Sequence, residues 1–457
     1  MKFFQILLLF ALPITGIAQV NLSDIQDSHN SMNASNFLPT YLGDHVNKFG
    51  ISLMNTYASL GSSFTTFQDA KAYLTSDQIT SEMIGNSISK LDRNDNMVSA
   101  SLDIALINIC FNIGGKGKKP AATLGFGVNE RVEVNSVFND NLLVLAYQGN
   151  KQFAGQTINI IPRFNGMAFT EYYAAAATDF ELGNTGIQIR PAVKISYLSG
   201  QANVNMSKDN AISLYTEPQG RYLDFGYNYS INASLGNDSL KLAGNTFNLN
   251  DKNYKIGAGS GLGVDFAVRI TPMKSLSFNL GIMDVGSIRF NKQVVNMYNH
   301  SSYHYEGQEL TFSENQTISL DSLANIAKPN YSYEAYSAKL PTRLIFTANY
   351  GMGYVQGKKE GYYKHQFSAI YLQGFDNYLS ATTRAYVAFG YTHSFKNVFN
   401  AGINAGVGGV TGETVGLLFS LKAGAFRFGL NSNNILPLII PSAGKGADLG
   451  MLLALAF

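Results

Sequence analysis

Between Ala385 and Val407 apolar and small polar side chains alternate almost without a break. Ala385, Val387, Phe389, Tyr391, His393 and Phe395 share one face, and Tyr386, Ala388, Gly390, Thr392 and Ser394 the other. After a turn at Lys396-Asn397, Phe399, Ala401, Ile403, Ala405 and Val407 oppose Asn400, Gly402, Asn404, Gly406 and Gly408. Period-two alternation is the signature of strands with unlike faces. A soluble sandwich alternates too, but its outer face is richer in Lys, Glu and Thr. Here the greasy face is continuous and the polar face small, as in a membrane-spanning hairpin.

Comparable segments run over 49–57, 98–114, 121–134, 155–164, 186–197, 223–235, 254–270 and 276–290. Beyond an interruption come 342–352, 365–375, the hairpin, 414–421, 425–431 and 447–457, making fifteen. Single-chain bacterial barrels have even strand numbers, so fourteen strands are expected, with sixteen next. In the last segment Met451, Leu453, Leu455 and Phe457 share a face. A terminal aromatic on such a strand resembles the signal by which outer-membrane barrels are recognised for insertion.

Three stretches break the pattern. Residues 19–46 are polar and rich in Asn and Ser, and read either as a disordered leader or as a segment tucked into the lumen by Phe37-Leu38-Pro39 and Tyr41. Thr75 to Leu91 carries Ile79, Met83, Ile84, Ile88 and Leu91 at helical spacing, with Thr75 or Ser76 as cap, and predicts one amphipathic helix near a barrel mouth. Residues 291–339 are too long for a plain connection. They hold Tyr298, Tyr303, Tyr305, Tyr331, Tyr333 and Tyr336, and predict a recognition loop outside the cell with a short helix around Leu320 to Ala327.

Composition supports a membrane barrel. Only 14% of residues are charged, against about 25% in soluble domains, yet no internal run reaches the roughly 18–20 apolar residues of a spanning helix. Gly numbers 44, Tyr 26, Phe 30 and Trp 0. The fold class is therefore all-β: a transmembrane antiparallel β-barrel of about fourteen strands. Lys2, the apolar run Phe3 to Leu12 and Gly16-Ile17-Ala18 predict a signal peptide over residues 1–18. The leader then covers 19–46 and the barrel 47–457, the loop at 291–339 lying within it. The implied location is the cell outer membrane, with outer-membrane lipid as partner. A net charge of +2 gives no concentrated basic surface for nucleic acid. One cysteine, Cys110, excludes an internal disulfide and a cysteine metal cluster.

No catalytic constellation is visible, and no cofactor or metal is expected. His300 and His304 have metal-ligand spacing, but surface histidines among aromatics are the better account. Gly257 to Gly263 lacks the Lys-Ser/Thr and the strand-turn-helix setting of a phosphate loop. The candidate luminal or turn-bracing residues are Asp265, Arg269 and Arg289. Parity turns all three inward and sets Asp265 and Arg269 about 13 Å apart, so each needs another partner. Asp284 falls on the membrane parity of Leu280 and Ile282. A charge there is tolerated only near a rim, at a bulge or against another protein. With Tyr298, Tyr303, Tyr305, Tyr331 and Tyr333 it makes up the candidate partner or rim contacts.

The stretch from Gly257 to Ala267, then Pro272, then Leu276 to Phe290 resembles a family of uncharacterised Bacteroidota outer-membrane barrels known only as a domain of unknown function. Members show a glycine-rich strand ending in Asp-Leu-Gly, a turn with Pro, and a strand closing with Asp-Leu-Gly-x-Ile-x-Trp. This chain has Asp265-Phe266-Ala267 and Asp284-Val285-Gly286-Ser287-Ile288-Arg289-Phe290 at those places. Asn33-Ala34-Ser35 with Pro39, and Leu340-Pro341, are similar to the family's opening and to its strand entry after the long loop. FadL-like and PorV-like barrels are more distantly similar. The resemblance implies the fold and two function classes. One is gated transport of a small or apolar ligand. The other is a non-enzymatic accessory role beside envelope protein partners.

Overall fold

The computed structural model describes residues 22–27, 31–32, 34–44, 48–76, 78, 80–114, 121–234, 257–306, 329–356 and 361–457. The expected signal peptide and the helix around Leu320 to Ala327 lie outside the described residues.

Fourteen antiparallel strands close on themselves. The first seven are β1 Phe49–Ser62, β2 Asn96–Ile113, β3 Ala122–Phe138, β4 Arg163–Ala177, β5 Gln188–Met206, β6 Gly259–Met273 and β7 Leu276–Phe290. The rest are β8 Arg343–Val355, β9 Tyr362–Gly374, β10 Tyr386–Phe395, β11 Phe399–Gly408, β12 Thr414–Ala423, β13 Phe426–Ser432 and β14 Gly446–Ala456. Each pairs with the next, and β14 pairs back onto β1, Gly50 opposite Ala456 and Gly61 opposite Gly446. Closure leaves no unpaired edge in the wall, a condition for a sheet in hydrocarbon.

The two faces differ as the alternation requires. On the hairpin β10–β11, Phe389, Ile403 and Val407 are exposed, while Thr392, Ser394, Asn400 and Asn404 are buried. One end of the barrel has short turns, such as Lys274-Ser275 and Lys396-Asn397-Val398. There, rings meet around the wall: Phe49 with Phe111 and Phe457, Phe395 with Phe399, and Phe399 with Phe419. These Phe rings stand where outer-membrane barrels carry an aromatic girdle. The opposite end carries the long connections.

Several elements differ from the sequence expectation. The wall strand after β3 is β4, not residues 155–164; Thr157–Ile160 instead pairs with Ala211–Thr216 outside the wall. Four consecutive alanines, Ala174 to Ala177, blur the contrast between faces on which alternation depends. Leu223–Ser234 is not a wall strand either. It pairs with Ala211–Thr216 and with Val294–Tyr305, and only its end reaches β5. The stretch 291–339 is therefore no simple loop: Val294–Tyr305, Asn330–Ser332 and Tyr336–Lys339 are strands, the last pairing with β7. The helix expected from Thr75 to Leu91 is the shorter Ser81–Ser89, and a second helix, Phe67–Thr75, precedes it. Phe67–Thr75 begins with a reciprocal cap between Thr66 and Asp69, and Ser81–Ser89 is capped by Thr80. Asn141–Gln148 is a further helix. No described helix is long and apolar enough to cross a membrane.

Candidate functional site

Polar positions of the wall converge on a buried charge network. On β3, apolar Val128, Val132 and Val134 alternate with Asn129, Arg131, Glu133 and Asn135, which are buried. Arg131 contacts Asp284 at 2.5 Å, Glu133 at 2.7 Å and Asp103 at 3.4 Å. Arg343 binds the other oxygen of Asp284. Lys194 lies 2.7 Å from Asp265 and 3.0 Å from Glu171. Glu171 also accepts from Ser196 and Asn129, at 2.6 and 3.0 Å. Buried ions without such partners cost several kcal/mol each, so these pairs form as a set.

A bulge makes the set possible. Val264 pairs with Val285 but Phe266 with Ile282, so Met283 and Asp284 share one place opposite Asp265. Asp284 takes φ +57°, a left-handed conformation rare outside Gly, Asn and Asp, and its amide donates to Asp265 at 2.6 Å. This corrects two expectations. Of the three settings in which a charge at Asp284 is tolerated, the bulge is the one found; the residue is turned inward and only 4% exposed, not the rim or partner contact for which it is a candidate. Parity beyond it is reversed, so Ile288 and Phe290 are buried while Arg289 is exposed rather than inward.

The leader lies against the same inward face. Arg269, expected to find a partner other than Asp265, contacts Asp44 at 2.7 Å, donates to the Thr40 carbonyl at 2.6 Å and lies 4.6 Å from the Tyr41 ring centre. The Tyr41 hydroxyl is bonded to Thr347, Asn279 and Asn349. Nearer the chain start, the Ser23 amide donates to Asn433, Asn404 donates to Gln26, and Asn400 to Asp27. Ile25, Leu38 and Tyr41 pack with Met283, Ile345, Ile370 and Tyr386. A Cβ on Gly390 would stand 1.7 Å from the Gln26 amide nitrogen, so a larger residue there displaces the Gln26 side chain.

A connection from the long-loop end closes over the network. Between β9 and β10, Leu379 is wholly buried at φ +51°, packed among Phe169, Leu198, Ile288, Phe290 and Leu340. The next residue, Ser380, donates its amide to Glu133 at 3.1 Å. A cavity of about 60 Å³ remains between this connection and the leader, with Asn36, Phe37, Asp103, Asn129, Arg343 and Ser380 in its lining. A second cavity, of about 600 Å³, opens at the long-loop end and is lined by Tyr378 and Ala381 of the same connection. The Leu379–Ser380 pair therefore stands between two cavities.

The tyrosine group is dispersed. Tyr298, Tyr303 and Tyr305 lie on the strand Val294–Tyr305, and Tyr331 on Asn330–Ser332. Tyr298, Tyr331 and Tyr333 are exposed, Tyr303 and Tyr305 half-buried. His304 contacts Asp224 at 2.5 Å, and this hydrogen bond holds its imidazole above the ordinary histidine range. His300 bonds Asn228, and His365 bonds Tyr391. Among the described residues no group of His, Cys, Asp and Glu is placed to hold a metal ion, and no catalytic constellation stands out.

These features define a closed, fourteen-stranded barrel of the outer-membrane type whose inward face carries a paired charge network. The chain belongs to the family of unknown function DUF5723, which matches residues 39–433. No curated protein matches it. Among solved structures it is similar to the toluene transporter TodX of Pseudomonas putida, at 7% identity and a TM-score of 0.41, over 93% of this chain and 92% of that one. The translocator domain of the autotransporter NalP from Neisseria meningitidis is similar at 7% identity and TM-score 0.32, over 95% and 98%. Outer membrane phospholipase A from Escherichia coli is similar at 10% identity and TM-score 0.21, over 96% and 98%. Likenesses this distant carry nothing about activity.

Proposed function

We propose that the chain is an outer-membrane barrel that passes small solutes through a gated lumen. The observation carrying this reading is the pair of cavities on either side of Leu379–Ser380, with the leader below the inner one. Wide barrels must be filled or they conduct. In this reading residues 19–46 are a luminal plug and the β9–β10 connection is the gate. Asp265 and Arg269 brace them, the first through Lys194 and the second through Asp44 and Thr40. The left-handed Leu379 costs about 1–3 kcal/mol, which the Ser380–Glu133 bond and apolar packing offset when the gate is shut. Moving the connection releases that strain and joins the cavities.

A second reading, an accessory subunit of an envelope assembly, is favoured by the strands outside the wall and by exposed Tyr298, Tyr331 and Tyr333. Tyrosine offers apolar area and a hydroxyl at little entropic cost, which suits a partner contact. Planar-bilayer conductance separates the two. The intact chain should conduct rarely. A variant lacking residues 19–46, with 377–381 replaced by a Gly-Ser link, should form large stable channels. A correctly folded variant that stays silent would reject gated transport and leave the accessory reading.

A further inference from the structure

We infer that the cavity of about 600 Å³ at the long-loop end binds a compact organic anion, a carboxylate or phosphate on a partly apolar body. The inference rests on the transport reading and names the class of solute that the outer cavity receives. Its volume falls within the roughly 300–1,000 Å³ of small-molecule sites.

Charge is the first argument. Arg163, Lys208 and Lys339 line this cavity, against Asp376 alone. None of the three cations forms an ion pair with a described residue, whereas Arg131, Lys194 and Arg343 below are all paired. The Arg163 Nε is buried without a hydrogen-bond partner among the described residues. Asp376 does not neutralise the set, and one of its oxygens already accepts the Asn377 amide at 2.8 Å.

The apolar lining is the second argument. Met206, Leu340, Pro341, Phe375 and Tyr378 face the same space. A bare inorganic anion makes no use of them; a ring or short chain attached to the charged group does. Sites of this kind combine an apolar wall with a few placed polar groups that fix orientation. The network beneath offers little competing charge, because Glu133, nearest the connection, is bonded to both Arg131 and Ser380.

Titration calorimetry on the folded barrel in detergent tests this with three probes: benzoate, the neutral benzyl alcohol of similar shape, and inorganic phosphate. Benzoate should bind saturably, about tenfold or more tighter than either of the others, and weaken with salt. Arg163→Gln and Lys339→Gln should each weaken benzoate by about tenfold, and Lys339→Arg should retain it, with heat-modifiable gel migration showing that every variant is folded. Equal binding of benzoate and benzyl alcohol overturns recognition of charge. Equal binding of benzoate and phosphate overturns the apolar body, and unaltered affinity in folded Gln variants overturns the site. Failure of the transport reading is a separate result: benzoate then binds as described while channels stay absent from the gate variant.

Discussion

Replacing Lys194 by Met removes the one cation shared by Glu171 and Asp265. Its Nζ lies 3.0 and 2.7 Å from their carboxylates, and all three side chains are at most 4% exposed. Breaking a buried pair by deleting one partner costs about 3–5 kcal/mol, mostly as the desolvation of the charge left behind. Two carboxylates are left here, so the loss belongs at the upper end, a factor of about 10³ or more in the folding equilibrium. Met fills the Lys stem volume, so cavity formation adds little. Glu171 keeps its bonds to Ser196 and Asn129. Adding Asp265→Asn to Lys194→Met should therefore restore a large part of the loss, and the double-mutant cycle should show strong coupling. Because the chain has no Trp, urea unfolding from vesicles is followed by far-ultraviolet circular dichroism and by heat-modifiable gel migration. A Lys194→Met barrel that unfolds at the wild-type midpoint would refute the paired network, as would a double variant no better than the single one.

Three further outcomes follow from the same geometry. Ile403→Arg, on the exposed face of β11, should cost about 2–4 kcal/mol of insertion if it sits at the bilayer midplane, measured as folding yield into vesicles; an unchanged yield would place that face away from lipid. Gly390→Leu should displace the leader while leaving the wall intact, since its new side chain occupies the place of Gln26; faster proteolysis of residues 19–46 in a heat-modifiable barrel is the expected readout, and an unaltered leader contradicts it. His304 should titrate above the usual histidine range and return towards it in Asp224→Asn. With its folded value raised, the contact with Asp224 is fully present below the unfolded value and is lost as pH rises through the folded one. Histidine resonances followed from pH 5 to 9 would show this, and an unshifted His304 would count against the pair.

How far the sequence was legible depends on contrast between neighbouring positions. The hairpin β10–β11 and the closing strand β14 could be read because bulky apolar residues alternate with Gly, Asn, Thr and Ser. β4 could not, because Ala174 to Ala177 carry no contrast and Glu171 reads as surface. The strands outside the wall alternate just as wall strands do, as in Leu223–Ser234, so periodicity alone assigned one of them to the barrel. Asp284 and Arg289 went wrong together through a single bulge, since one inserted residue inverts every later parity in its strand. On β3 the network was within reach of the method: Arg131 and Glu133 lie on the polar side of an alternating strand. Their partners Asp103, Asp284 and Ser380 come from two other strands and a connection, and only the closed fold brings them together.

The central claim is that solute passage requires the leader and the gate to move. Its most direct test is a tether. In a Cys110→Ser background, Ser23→Cys and Asn433→Cys place thiols where the Ser23 hydroxyl now meets Asn433 at 3.1 Å, and a short reducible bis-thiol linker joins them. Uptake of labelled benzoate into proteoliposomes should fall to the protein-free rate when the tether is closed and recover on reduction. Uptake that is equally fast with the leader tethered would contradict the account.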